Sequence, residues 1–175
     1  MKRKRDNALY YAFGFGALVV GLTLLQNLMD RRTGMNEGAP APDFSARRLD
    51  GERVKLSSLR GKVVLVDFWA RWCKPCVKTM PTLERVSKRL AGKPFVLLSV
   101  NIERAQPKSI GDWLGERARH FEVVQDDEGY GQAAYRVRGI PRLVIVDAEG
   151  VLRDGAAGHD EATLVSAIEK LLPPS

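Results

Sequence analysis

Cysteine is scarce in this sequence: Cys73 and Cys76 are the only two among 175 residues, and two residues separate them. A bridge between them would close a loop of about four residues, which removes almost no conformational entropy from the unfolded chain. The sequence is therefore not that of a disulfide-rich scaffold. Histidine is equally scarce, and His120 and His159 are predicted to be surface or capping residues rather than ligands, so no metal site is predicted.

A motif of interleaved basic and aromatic residues, of the kind that binds nucleic acid, is also lacking. The net charge of +7 is concentrated near the N-terminus, where residues 1–35 hold six Lys or Arg against two Asp. More than half of the excess charge therefore flanks one apolar segment, and nucleic acid is not a predicted partner. With 45% hydrophobic residues, the rest of the chain has material for one globular core.

The apolar segment covers residues 8–29 and contains 22 uncharged residues. As a helix it would extend about 33 Å, which is enough to cross a bilayer. The basic cluster in residues 1–7 predicts a cytoplasmic N-terminus and an extracytoplasmic C-terminal part. We therefore predict a single-pass signal anchor in the cytoplasmic (inner) membrane, a linker over residues 30–40 and a globular domain over residues 41–175.

The apolar segment has two other possible interpretations. A cleaved signal peptide would need a cleavage site, but Ala39-Pro40-Ala41 lies well beyond the apolar run, Pro42 follows it, and no lipobox cysteine is present. A buried core helix is less consistent with the charged flanks. An uncleaved anchor is the simplest interpretation.

Hydrophobic patterns in the remaining chain alternate between strand and helix. Asp50-Gly51 predicts a hairpin of two short edge strands, and Glu149-Gly150 a second one. Buried strands are predicted in the segments 62–70, 94–102 and 121–125; helices are predicted from Cys76 to Gly92 and in the segments 107–119, 129–137 and 160–172, the last capped by Asp160. Such an order predicts an α/β fold, a mixed β-sheet flanked by helices.

The cysteine pair thus falls at the start of a helix that follows a buried strand. Unpaired N–H groups and the positive end of the helix dipole stabilise a thiolate at this position, so Cys73 is predicted to be the nucleophile. Cys76, one turn further along, is predicted to resolve the mixed disulfide. Pro75 stiffens the loop and is tolerated in the first turn of a helix.

Three stretches carry a resemblance to a known family. "VDFWARWCKPC" resembles the active-site strand, loop and helix of thioredoxin-like proteins, and Pro81 stands where that family kinks the helix. "VRGIPRL" is similar to the family's cis-proline signature. The opening "APDFSARRLDGERVKLSSLRGKVVLVDFWA" is similar to the membrane-anchored, extracytoplasmic thiol-disulfide oxidoreductases of the TlpA and ResA type, which act in cytochrome c maturation and other envelope thiol reduction. The hairpin predicted at Asp50-Gly51 would be an N-terminal β-hairpin extension of this fold.

The resemblance implies roles for particular residues. Trp72 would shield the cysteines and offer a flat face to the substrate, with Lys74 and Pro75 beside it. Pro141 would be the cis-proline, and Ile140 would present backbone groups to an extended client chain. Asp67 would assist proton movement at the resolving cysteine. Three alternatives stay open: packing alone for Trp72, a purely structural carboxylate for Asp67 and an ordinary trans edge proline for Pro141.

The same resemblance implies the reaction and its partners. The predicted function is the reduction of disulfides in envelope proteins, apocytochrome c among the candidate clients, with electrons from a membrane thiol donor. No cofactor beyond the redox-active Cys73–Cys76 pair is expected. Lys74 and Arg142 depart from the family pattern. The Lys74 charge would stabilise the Cys73 thiolate and favour oxidising character, and Arg142 would add charge to the groove.

Other functions and one further residue stay open. An envelope oxidase or isomerase would use the same cysteines in the opposite direction. A copper-delivery module usually spaces its cysteines three apart and adds a histidine, and a peroxidase would carry a Pro-x-x-x-Thr-x-x-Cys signature; neither pattern is present. Glu103 resembles an acidic position near the site in the TlpA type, and a solvated loop carboxylate is an equal alternative.

Overall fold

The computed structural model describes Gly16 and residues 20–22, 37–153 and 160–174. The predicted anchor over residues 8–29 therefore lies outside the described residues except at four positions, which are helical. Within the described part, no helix combines the length and the apolar character needed to cross a membrane. A compact unit comprises Glu37–Ser175.

Seven strands in the described part of this unit form one mixed sheet with the order β2-β1-β5-β4-β3-β6-β7. The two central pairs, β3 with β4 and β4 with β5, are parallel, and the others are antiparallel. The strands are β1 Ser45–Arg48, β2 Arg53–Lys55, β3 Val63–Trp69, β4 Phe95–Asn101, β5 Glu122–Gln125, β6 Arg142–Val146 and β7 Leu152–Arg153. The mixed sheet confirms the predicted fold class.

Four α-helices and two 3₁₀ segments are described beside the sheet. They are α1 Lys74–Arg89, α2 Pro107–Leu114, α3 Tyr130–Ala134, α4 Glu161–Glu169 and the 3₁₀ turns Leu56–Leu59 and Gly115–His120. The predicted cap of α4 is confirmed, because the Asp160 carboxylate accepts the Thr163 N–H at 2.9 Å.

The predicted helix over residues 107–119 is wrong in its second half. The α-helix ends at Leu114, and a 3₁₀ segment follows. Gly115 has a φ of 56°, a conformation that glycine adopts without strain and that ends the α-helical hydrogen-bond pattern.

The first hairpin forms as predicted, with Ser45 paired to Lys55 and Arg47 to Arg53. Only β2 lies at the edge of the sheet, however, because β1 also pairs with β5 through Arg48 and Val124. The prediction of two edge strands is therefore wrong for β1. A pattern of alternating residues predicts a hairpin but does not show where the hairpin joins the sheet.

The core lies on both faces of β3, all seven residues of which are buried. On one face, Leu65 and Trp69 belong to a cluster that includes buried residues of α1 and α4, Met80 and Leu164 among them. On the other face, Phe68 packs against the rings of Phe44 and Tyr135, with ring centroids 5.6–6.2 Å apart. Burial on both faces explains the continuous apolar sequence of this strand.

Helix α1 packs one side against the sheet. Its buried residues recur every three or four positions: Cys76, Met80, Leu83 and Val86. Pro81 lies inside the helix, where it lacks the N–H that would bond the Val77 carbonyl. The packing of α1 fixes its first turn, and with it the cysteines, at the carboxyl end of β3.

Candidate active site

The strand β3 leads through a short turn directly to Cys73, which is the N-cap residue of α1. The Cys73 N–H donates to the Ala70 carbonyl at 3.1 Å, and the Cys73 carbonyl accepts the Val77 N–H at 3.1 Å. The Cys76 N–H donates to the Cys73 sulfur at 3.1 Å. A sulfur at this cap accepts a stronger hydrogen bond as a thiolate than in a disulfide, so the site favours an ionised Cys73 after reduction.

Cys73 and Cys76 are joined by a disulfide, with their Cα atoms 5.2 Å apart. Both are buried, and Cys73 is the more accessible, at 5% against 1% for Cys76. Access is what separates an attacking thiol from a resolving one, so the arrangement agrees with the predicted roles. The roles themselves stay predictions.

A second segment closes over the cysteines from the start of β6. The Ile140–Pro141 peptide bond is cis. The Ile140 carbonyl oxygen lies 3.7 Å from the Cys73 sulfur. Because a disulfide sulfur carries no hydrogen, this is a contact in the oxidised protein, and the same carbonyl can accept an S–H from the reduced thiol. The structure thus brings together the two motifs that the sequence pattern matched separately.

The remaining residues predicted to meet the substrate are on the surface. Trp72 is 67% exposed, although it directly precedes a buried cysteine. Lys74 and Pro75, the first two residues of α1, are also exposed. A solvent-exposed indole next to the Cys73–Cys76 disulfide is accessible to a client chain. This exposure agrees with the prediction that Trp72 contacts the substrate.

Asp67 lies inside the protein, 2% exposed, at the centre of β3. Alternation along the strand places it on the same face as Leu65 and Trp69, which share a core cluster with Cys76. Its Oδ1 atom has no hydrogen-bond partner among the described residues. Burial alone raises the pKa of Asp67 to about 7, because the charged carboxylate is poorly solvated there. The carboxyl group is therefore able to gain and lose a proton near neutral pH.

Glu103 connects the active-site turn to the neighbouring strand. Its Oε2 atom accepts three hydrogen bonds: from the Arg71 backbone N–H at 3.0 Å, the Arg71 Nε at 3.0 Å and the Asn101 side-chain amide at 3.1 Å. Burial opposes ionisation of Glu103, but the Arg71 N–H, the Asn101 amide and the Arg71 guanidinium together outweigh it and lower its pKa. Glu103 is thus neither a solvated carboxylate nor a free acid beside the sulfurs.

This network extends beyond the turn. Arg71 also donates from its guanidinium to the Ser109 hydroxyl at 2.9 Å. Gln125 donates from its side chain to the carbonyls of Glu103, at 2.6 Å, and Ala105. The sequence indicated Glu103 but not its partners Arg71, Asn101 and Gln125. They meet because β3 and β4 are parallel, which brings the residues after Trp69 and Asn101 to one edge of the sheet, and no local sequence pattern shows that register.

We predict that Glu103→Ala lowers the free energy of unfolding by about 1–3 kcal/mol, because the partly buried N–H and guanidinium of Arg71 lose their acceptor. The Glu103 side chain is 14% exposed, and that of Arg71 is 28% exposed. Urea unfolding measures the effect. The matched control is Glu116→Ala, which removes a 79% exposed carboxylate from its pair with Arg119 and is expected to change little. Equal effects of the two substitutions would contradict a buried anchoring role.

No cluster of three or more possible metal ligands occurs in the part of the chain that the structure describes. The His120 carbonyl accepts from the Ser87 hydroxyl, and its Nε2 lies 3.5 Å from a Glu84 oxygen. His159 lies outside the described residues.

Comparisons with known proteins agree on one class. A model of the AhpC/TSA family matches residues 38–154. The thioredoxin-like protein YneN of Bacillus subtilis is 36% identical over 136 residues, which covers 77% of this chain and 79% of that protein. The thiol-disulfide oxidoreductase ResA of Geobacillus kaustophilus is 31% identical over 140 residues and is covered to 79%, as is this chain.

Solved structures give the same result. The thioredoxin domain of a thiol-disulfide oxidoreductase from Bacteroides vulgatus superimposes with a TM-score of 0.69 at 26% identity, covering 79% of this chain and 99% of that one. A thiol:disulfide interchange protein of the DsbE type from Chlorobium tepidum gives a TM-score of 0.61 at 28% identity, covering 76% and 98%.

Proposed function

Because the chain belongs to the AhpC/TSA family and is a thiol-disulfide oxidoreductase, we propose that it reduces disulfides of envelope proteins while anchored in the cytoplasmic membrane. One observation carries the proposal: the Cys73–Cys76 pair caps a helix, faces the Ile140 carbonyl and belongs to the core cluster on the Asp67 face of β3. These features support the proposed roles of Cys73 as nucleophile, of the segment around Ile140 as the docking site for the client chain, and of Asp67 as proton acceptor.

The first step is attack by the reduced protein on the client. The Cys73 thiolate, held by the Cys76 N–H and the start of α1, displaces one sulfur of the client disulfide. The client S–S bond breaks, a new bond forms between Cys73 and the other client sulfur, and the departing thiolate takes a proton. The backbone around Ile140 and Pro141 positions the client as an added strand.

The second step releases the client. Cys76 loses its proton, for which Asp67 is the nearby candidate acceptor, since its pKa of about 7 allows it to accept and release protons at neutral pH. The Cys76 thiolate then attacks Cys73, and the mixed disulfide breaks. The client leaves with two electrons and two protons, and the protein retains the Cys73–Cys76 disulfide. A dithiol protein of the membrane is the proposed reductant that regenerates the thiols.

The direction of electron transfer depends on the reduction potential, because the same geometry serves an oxidase or isomerase. Lys74 is exposed beside Cys73 and stabilises the thiolate, which makes the disulfide more oxidising. We expect the full chain equilibrated with glutathione to give a potential of about −200 to −270 mV, in the range of reductants, and Lys74→Gln to lower it by roughly 10–30 mV. A potential near about −120 mV would instead support an oxidase.

The membrane location rests on residues 8–29 and on the basic residues before them. We propose that this segment is an uncleaved anchor with the catalytic unit on the extracytoplasmic side, and that apocytochrome c is a candidate client, as in the TlpA type. Extraction of membranes with alkaline carbonate tests the anchor. Release of the full-length chain into the soluble fraction would contradict it.

A further inference from the structure

The two segments that form the active site contain basic side chains and no acidic ones. Residues 70–82 and 133–146 together hold six Lys or Arg and neither Asp nor Glu. We infer that the surface around the disulfide selects clients whose cysteine is flanked by Asp or Glu in an extended chain, an inference that rests on the proposed function. Four exposed residues form this surface, which we name the basic rim: Lys74, Lys78, Arg138 and Arg142.

The first side of the basic rim is the start of α1. Lys74 is the first residue of the helix, and Lys78, one turn later, lies on the same side of it. The first turn contains no acidic residue, although acidic residues are favourable there. The two lysines thus add to the positive end of the helix dipole. Neither forms an ion pair in the part of the chain that the structure describes.

The second side is the segment around the cis-proline. Arg138 and Arg142 lie two residues before and two residues after Ile140, whose carbonyl is 3.7 Å from the Cys73 sulfur. Two residues of chain span at most about 7 Å, which a long guanidinium side chain can bridge. The backbone of Arg142 pairs with Phe68 near the carboxyl end of β3, where the active-site turn begins, and its exposed side chain projects on the Phe68 face of the sheet.

Two further arginines of these segments do not belong to the basic rim. The Arg71 charge is balanced by Glu103 at 3.0 Å. Arg136 has a φ of 47° and has interactions of its own. Among described residues, by contrast, the members of the basic rim have no carboxylate within ion-pair distance, so their charge is available to a client.

Charge complementarity of this kind acts mainly on selection. A client with acidic residues beside its cysteine is attracted to both sides of the groove, and a client with basic residues is repelled. Trp72, 67% exposed and directly before Cys73, adds contact that does not depend on charge. The cis-proline segment holds the client backbone irrespective of sequence, so the basic rim supplies the preference.

The experiment compares three synthetic peptides of equal length. Each contains one cysteine in a mixed disulfide with 2-mercaptoethanol, flanked by Asp and Glu, by Ser and Gln, or by Lys and Arg. The reduced full chain, in neutral detergent, converts each peptide to its thiol and releases 2-mercaptoethanol, while Cys73 and Cys76 become a disulfide. Acid quenching and mass spectrometry give the second-order rate constants.

At about 20 mM salt we expect the acidic peptide to react about tenfold faster than the basic one, with the neutral peptide between them. At about 500 mM salt the screening length falls to a few Å, and the ratio is expected to fall below about threefold. Arg138→Glu with Arg142→Glu should bring the ratio to one or invert it. Because the ratio is measured within each variant, a general loss of activity does not affect it.

The matched control is Lys55→Glu with Lys62→Glu, which changes the net charge equally at two exposed lysines, one on β2 and one before β3. The control should keep the wild-type ratio. Equal rates for the three peptides, or a faster basic peptide, would overturn the inference. Bis(2-hydroxyethyl) disulfide, which is uncharged, separates this failure from a failure of the proposed function: a chain that does not reduce it lacks the proposed activity altogether.

Discussion

Cys76→Ser is expected to accumulate a stable mixed disulfide between Cys73 and its client, because the thiol that would break that bond is absent. Cys73→Ser is expected to lose disulfide reduction by at least about 10³-fold, since Cys76 is 1% exposed and cannot approach an external sulfur. Non-reducing gels of cells expressing each variant, with mass spectrometry of the shifted bands, measure both outcomes. The clients identified in this way also test the proposal of apocytochrome c.

The two serine variants control each other, because each retains one of the two cysteines of the same motif. Alkylation before lysis prevents exchange during preparation. Adducts of equal abundance in both variants would show that either cysteine attacks, which contradicts the assignment from helix position and exposure. Adducts through Cys76 alone would reverse the assignment.

Asp67→Asn is expected to slow the release step on the order of 10²-fold while leaving the first attack nearly unchanged, because only the second step needs a proton acceptor near Cys76. Single-turnover decay of the mixed disulfide with a small peptide measures this rate. In the wild type the rate should rise with pH as Asp67 ionises, with an inflection at about 7. An inflection that persists in the asparagine variant would assign the proton transfer to another group.

The same substitution is expected to stabilise the fold. The pKa of Asp67 is raised by burial to about 7 in the folded protein from 3.8, so the folded state retains a proton that the unfolded state loses between these values. Stability associated with Asp67 is therefore fully present below about pH 4 and is lost as the pH rises to 7. The Asp67→Asn variant has no carboxyl group to ionise, so its free energy of unfolding should not fall over this pH range. The fall avoided corresponds to about 4 kcal/mol at pH 7 and above. Urea unfolding at pH 4 and pH 8 measures it.

Asp147→Asn is the matched control, since Asp147 is an aspartate of similar burial, 3% exposed, whose carboxylate has hydrogen-bond partners. Its carboxylate accepts N–H groups of Glu149 at 3.1 Å and Val151 at 2.8 Å and the Arg153 guanidinium at 2.7 Å. Loss of this charge should destabilise the protein. A stabilising effect in both variants would indicate a general effect of reduced charge rather than the unpaired burial of Asp67.

Local patterns in the sequence were sufficient for the centre of the site. The strand "KVVLVDFWA", the cysteine pair at the start of α1 and the cap at Asp160 depend on short-range signals, and the structure has all three. The cis bond before Pro141 followed from a resemblance rather than from physics, since an X-Pro bond is intrinsically only weakly biased between its two forms.

The features that sequence reasoning missed depend on contacts between distant residues. Arg71 and Glu103 are 32 positions apart and meet only because β3 and β4 are parallel in a particular register. The position of β1 between β2 and β5 likewise depends on a pairing across about 75 residues, Arg48 with Val124. Periodicity reports which face of an element is buried, and it contains no information about such partners.

The position of β1 has a consequence for how the domain behaves when shortened. Strand β5, which ends in the buried residues Val124 and Gln125, is an interior strand only because β1 pairs with it. A chain that begins after the hairpin lacks β1 and would therefore expose one edge of β5, with its backbone N–H and C=O groups unpaired. Exposed strand edges of this kind promote intermolecular association. The hairpin of β1 and β2 is therefore expected to protect β5 from pairing with a second chain, independent of any part it has in thiol chemistry.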